Sequence, residues 1–123
     1  MKTPVDLPRV KRAVARFRRF LARDVPAFRL LMVTEPDKAS LQCCGVYILF
    51  YKTGKVARVG EASGMLHSRL PAYRMDRLGW FPYKWTAVIP FDARFRCLAP
   101  ALERYLLDRL DPPENKFHRP KQA

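Results

Sequence analysis

Arg9, Arg12, Arg16, Arg19 and Arg23 recur every three or four residues near the start of the chain, a spacing that lines one side of a helix with guanidinium groups. A guanidinium is a planar, permanently charged fork that pairs with phosphate oxygens, so the first chemistry on offer is the binding of a polyanion. The whole chain agrees: 24 Lys+Arg against 11 Asp+Glu in 123 residues leave a formal charge of +13. Residues 1–24 hold eight basic and two acidic side chains, and residues 116–123, with Lys116 and Arg119, three and none. Residues 25–115 are nearly balanced, with thirteen and nine. The solvated face of an ordinary surface helix produces the same stripe. So does a membrane-surface helix, although Phe17 and Phe20 are its only aromatics.

Cysteine chemistry is excluded by spacing. Cys43 and Cys44 are adjacent and Cys97 is remote, which forms neither an even disulfide framework nor a zinc-type pair. The thiols are expected to be buried small hydrophobes in a reducing, intracellular compartment. Apolar runs such as Val46 to Tyr51 and Trp85 to Ile89 fall far below the roughly 18 residues of a membrane span, so no membrane partner is expected. The Arg-rich start has no serine before Ser40 and includes Asp6 and Asp24, which does not suit a transit peptide.

These groups must be positioned by a small α+β fold. Asp6 followed by Pro8 predicts a helix start and Val25-Pro26 a stop, so Leu7 to Arg23 reads as a helix with Val10, Val14, Phe17 and Leu21 on its apolar face. Residues 26–44 stay open, with Phe28 to Val33 either a short strand or a helical turn. Gly45 to Tyr51 and Val56 to Gly60 flank Lys52-Thr53-Gly54-Lys55 as a hairpin. A two-residue Thr53-Gly54 turn would pair Tyr51 with Val56, Leu49 with Arg58 and Tyr47 with Gly60, making Tyr47 and Arg58 diagonal neighbours on one face. Met65 to Arg77 follows as a helical stretch interrupted by Pro71 and carrying His67, Arg69 and Tyr73. Lys84 to Pro90 is a strand apolar on both faces, hence central. Ala101 to Leu110 is the last helix, with Pro100 in its first turn and Asp111-Pro112-Pro113-Glu114-Asn115 as its stop. The order is ββαβα behind an extra basic helix.

In this order, Gly45-Val46-Tyr47, Arg58-Val59-Gly60 at hairpin distance, Arg69 on the following helix, and Glu103 with Pro112 nine and Asn115 twelve residues later resemble the GIY-YIG endonuclease superfamily. The resemblance covers about residues 45–117. It implies a three-stranded antiparallel sheet flanked by helices; outside its range, the charge pattern makes residues 1–44 a basic helix and connection packed on the core and residues 118–123 a basic tail. It also implies a metal-dependent endonuclease, a hydrolase cutting phosphodiester bonds in DNA rather than RNA, of bacterial or phage origin. Such a domain would be a monomer or small homo-oligomer and would use an appended region or a protein partner for targeting. The nucleic-acid-binding residues would be Arg9, Arg12, Arg16, Arg19, Arg23, Lys116 and Arg119.

By the same resemblance Glu103 would hold Mg²⁺ or Mn²⁺, Tyr47 would orient or deprotonate the attacking water, and Arg69 would grip the scissile phosphate. Tyr73 would be a further site residue, and Asn115 would tie the last helix to the site. Glu103, Tyr47, Arg69 and Asn115 each have a plain alternative: a solvated helix glutamate, a sheet tyrosine under a helix, a surface arginine and a turn asparagine. Arg58 departs from the family pattern, standing where the second motif has tyrosine. Arginine cannot act as a base, so the domain is either impaired, leaving a nucleic-acid-binding module, or compensated. A guanidinium about 6 Å from Tyr47 would contribute on the order of 3 kcal/mol at an effective dielectric near 20, in the direction that lowers a phenol pKa. Glu61 also departs, being acidic just after the second motif, and the stretch from Gly60 to Arg69 is one residue longer than the family's.

Overall fold

A computed structural model describes residues 3–21, 23, 25, 28–33, 43–62, 66 and 83–118. Helix α1 spans Leu7–Arg18, and strands β1 (Leu31–Val33), β2 (Cys44–Tyr51), β3 (Val56–Ala62) and β4 (Tyr83–Phe91) follow. Helix α2 spans Leu98–Leu110, and a 3-10 turn runs over Pro113–His118. The chain is α+β, and its sheet is antiparallel with strand order β1-β4-β2-β3.

The sheet therefore has four strands where three were expected. The extra strand comes from the stretch the sequence left open: Leu31, Met32 and Val33 pair with Val88, Ala87 and Thr86. Three residues are too few to show an alternating pattern, and this strand exists because β4 presents it with an unpaired edge. β4 is central, as its two apolar faces require, with Ala87, Val88 and Ile89 all buried.

Alternation divides the core in two. Cys44, Val46, Ile48 and Phe50 of β2 point to the face covered by both helices, where they meet Val10, Val14 and Phe17 of α1 and Ala99, Leu102, Leu106 and Leu110 of α2. A chain of rings joins these layers, from Tyr105 to Phe17 (5.4 Å), Phe17 to Phe28 (6.4 Å) and Phe28 to Phe91 (4.9 Å). Tyr47, Leu49, Ala57, Ala62, Tyr83 and Val88 point the other way, with Leu66 above them. Gly45 lies on this second face, and a Cβ there would run into the Ile89 carbonyl and the Leu66 side chain.

Helix α1 stops at Arg18 rather than Arg23. Beyond it the Arg19, Phe20 and Leu21 amides bond three residues back, to Arg16, Phe17 and Arg18, the tightened geometry of a helix end. Asp6 does not cap the helix through its side chain. Its carboxylate instead accepts from the Val56 amide at 2.9 Å, and its own amide donates to the Gly54 carbonyl at 3.0 Å. The residue expected to start α1 thus fastens α1 to the hairpin. Helix α2 ends at Asp111, whose φ of 46° is left-handed and whose amide donates to Leu107, an αL cap.

Cys44 is buried, with its thiol 3.5 Å from the Phe91 carbonyl, and Cys43 is half-buried. Burial, then the neighbouring Cys44, pushes the Cys43 thiol above its ordinary pKa. Cys97 is exposed, contrary to the expectation that all three thiols are buried. No helix among the described residues is long and apolar enough to cross a membrane.

Candidate functional site

The hairpin sets the geometry. Tyr47 pairs with Gly60 and Leu49 with Arg58, as the turn reading requires, but Phe50 rather than Tyr51 then faces Val56. The difference is a β-bulge: Ala57 is an extra residue on β3, inserted beside Arg58. A bulge sharpens the local twist and re-aims the neighbouring side chain. The turn itself is Tyr51 to Gly54, closed by the Gly54 amide on the Tyr51 carbonyl at 2.8 Å. Gly54 has φ +90°, which L side chains rarely adopt.

Tyr47 is 2% exposed and its ring lies directly over Gly60. A Cβ at position 60 would overlap both the ring and its hydroxyl. The glycine of the second motif is thus the seat of the tyrosine of the first. Arg58, one pair further along, is half-buried on the same face.

Three residues of this face were not singled out in the sequence. The Tyr51 and Tyr83 rings stack at 6.2 Å and 28°, and the Tyr83 hydroxyl donates to Glu114. Burial, and then the bond to Glu114, push Tyr51 up to about 12 and Tyr83 higher still. The Arg58 charge acts on Tyr83 in the opposite sense. Arg58 therefore sits in the field of a phenol-carboxylate group, not alone with Tyr47. The signal in sequence was Glu114 beside Asn115, on a segment that had to return to the hairpin.

Asn115 makes that return. It is 7% exposed; its Oδ1 accepts from the Val59 amide and its Nδ2 donates to the Val59 carbonyl, both at 2.8 Å. β3 is an edge strand, and an amide side chain offers one acceptor and one donor in the arrangement of a strand residue. Asn115 so completes the ladder where the second motif lies.

Glu103 is half-buried on α2, between Leu102 and Leu106. α2 docks by Ala99, Leu102, Leu106 and Leu110 on the face opposite Tyr47, against β2 and the edge strand β3. Among the described residues no three His, Cys, Asp or Glu side chains gather as a metal cluster, and the donor in question is one carboxylate. A hard oxygen donor of that kind suits Mg²⁺, which keeps several waters and shares its shell with substrate phosphate.

Arg69 and Tyr73, with His67, lie outside the described residues, as does Arg119; the Lys116 side chain does too. Of the arginine stripe, Arg12, Arg16, Arg19 and Arg23 are exposed. Arg9 is exposed as well, and its guanidinium donates to the Arg109 and Leu110 carbonyls at 3.2 and 3.3 Å and lies 4.0 Å from Asp6. It helps to satisfy the orphan carbonyls at the negative end of α2, a structural task that the sequence pattern does not assign to it.

No family model matches the chain. No curated protein matches it significantly either.

Proposed function

We propose that the protein is a metal-dependent endonuclease that hydrolyses phosphodiester bonds in DNA. The observation that carries this reading is the interlock of the two motifs: Tyr47 seated on Gly60, Arg58 on the same face, and the motif strand held at its edge by Asn115. Glu103, on a helix that docks from the sheet face opposite Tyr47, would have to reach round the edge strand β3 to hold Mg²⁺ or Mn²⁺ at the same phosphate, where the ion when bound neutralises charge on the phosphoryl oxygens. Tyr47 orients the water and, once ionised to the phenolate, accepts its proton to return to the phenol, Arg69 binds the phosphate through two donors, and the exposed arginines of α1 draw in the polyanion.

Purified protein incubated with plasmid, single-stranded and branched DNA in Mg²⁺ or Mn²⁺ tests this. Cutting should fall by about 10²–10⁴-fold in Tyr47→Phe, the usual worth of a general base, and vanish in Glu103→Ala. Undiminished cutting by Glu103→Ala overturns the site.

Arg58 favours a second reading, in which the fold persists as a binding module without catalysis. The guanidinium occupies the motif position that would otherwise hold a phenol, and its charge favours ionisation of Tyr83 against the larger effects of burial and Glu114. Salt-sensitive binding with no nicking under either metal, and cutting gained by Arg58→Tyr, would establish it.

A further inference from the structure

Between α1 and residues 28–30 runs an open groove of about 580 Å³, within the ~300–1,000 Å³ range of sites that enclose a small ligand or one unit of a larger one. Every charged side chain lining it is a cation: Lys11, Arg18 and Arg19 on the α1 side and Arg29 on the other. Its floor is apolar, made by Val14, Phe28 and Leu30. The groove lies on the flank of α1 away from Arg9, so α2 does not cover it.

Cations on both lips above an apolar floor match a ligand with regularly spaced anions and a flat apolar body between them. We propose that this groove holds a single-stranded stretch of nucleic acid, its phosphates on Lys11, Arg18, Arg19 and Arg29 and an unpaired base or sugar against Val14 and Leu30. A duplex, whose base faces are hidden, cannot use the floor, whereas single strands combine a basic track with an apolar contact. A bilayer surface does not fit a concave site. The inference rests on the nucleic-acid reading above and deepens it: the strand engaged is unpaired beside the region that is cut.

The test uses the full chain carrying Glu103→Ala, so that binding is read without cleavage. A fluorescent dT20 and a 20-base-pair duplex are titrated between 50 and 200 mM salt. Arg18→Ala with Arg29→Ala should weaken dT20 binding on the order of ten- to a hundredfold at 50 mM salt and flatten the salt slope by about 1.4, that is ~0.7 per lost single-strand phosphate contact. Arg96→Ala with Arg104→Ala removes equal charge from exposed positions elsewhere and should change the slope little. Ala15→Trp fills the groove from an exposed helix position without altering charge and should abolish the preference for dT20 over duplex.

Equal losses in both double variants, or dT20 binding indifferent to Ala15→Trp, would overturn the proposal. So would a glutamate decapeptide that displaces dT20 at equal concentration, which would make the groove a protein-docking site. Wild-type protein that never cuts, yet binds dT20 in an Ala15→Trp-sensitive way, refutes the nuclease and keeps the groove. Wild-type protein whose cutting and binding ignore Ala15→Trp does the reverse.

Discussion

Replacing Asn115 offers the sharpest measurement of how the second motif is held. The side chain makes two 2.8 Å bonds to one residue of an edge strand, Val59 N–H and C=O, and is itself buried. Each bond is worth about 0.5–1.5 kcal/mol net, and each buried backbone group left without a partner costs about 1–3 kcal/mol. Because an edge can take up some water, Asn115→Ala should cost about 2–4 kcal/mol. With a urea slope near ~2 kcal/mol per molar, the unfolding midpoint should fall by roughly 1–2 M. Asn115→Asp separates hydrogen bonding from packing. The aspartate keeps the acceptor for Val59 N–H, but its second oxygen faces the Val59 carbonyl, so the folded state favours the protonated, donating form. Its folded pKa is then raised above the unfolded value of about 3.9. The bond is fully present below the unfolded pKa and lost as pH rises through the folded one. The stability gap between Asn115→Asp and wild type should therefore be small near pH 3.5 and widen towards pH 7. A loss below ~0.5 kcal/mol in Asn115→Ala, or a gap independent of pH in Asn115→Asp, would refute the clamp.

Gly60→Ala should cost about 1–3 kcal/mol by overpacking, since the new methyl overlaps the Tyr47 ring; in a Tyr47→Ala background the cost should vanish, a coupling read by a double-mutant cycle of urea midpoints. Tyr51 keeps its proton up to about 12 when folded, against about 10 unfolded. The stability this linkage supplies is complete below pH 10 and is lost as pH rises towards 12, with Tyr83 extending the loss further. Thermal melts across that window should show a steep alkaline decline that Tyr51→Phe and Tyr83→Phe flatten. Asp6→Ala should cost about 1 kcal/mol while Asp6→Asn costs much less, because either Asp or Asn can accept from Val56 N–H. Hydrogen exchange should speed at the Val56 amide rather than in the first turn of α1, as it would if Asp6 were a helix cap.

The sheet was legible where alternation was long. Gly45 to Tyr51 fixes which residues face which layer, and the expected Tyr47–Gly60 and Leu49–Arg58 pairs are present, though they arise from a turn at Tyr51 to Gly54 together with a bulge in place of a two-residue Thr53-Gly54 turn. The Ala57 bulge was not legible, because an extra residue changes no local propensity and appears only as a mismatch between two strands. β1 was hidden for a related reason, its three residues being strand only through β4. Among site residues, Asn115 was found through its spacing from Glu103, whereas Tyr51, Tyr83 and Glu114 were missed because their grouping depends on where the segment after α2 returns. The arginine stripe concealed a further contact at one position. Periodicity put Arg9 with the others, and nothing local to α1 shows that the carbonyl end of another helix, a hundred residues on, lies within its reach.

Those contacts give α1 a second consequence. Its first turns touch both parts of the proposed site, the hairpin through Asp6 at Val56 and Gly54 and the end of α2 through Arg9. β3 carries Arg58 and Gly60, and α2 carries Glu103, so a single short segment spans the two elements whose relative placement would matter for the proposed catalysis. The same helix exposes Arg12, Arg16 and Arg19 and forms one wall of the basic groove. Under the proposed function, a nucleic acid bound along α1 would therefore load the element that joins β3 to α2, which would make the basic helix a mechanical part of the site. Asp6→Ala and Arg9→Ala should accordingly depress cutting more than they depress binding. Arg12→Ala should do the opposite, since that side chain is exposed and contributes charge at the surface.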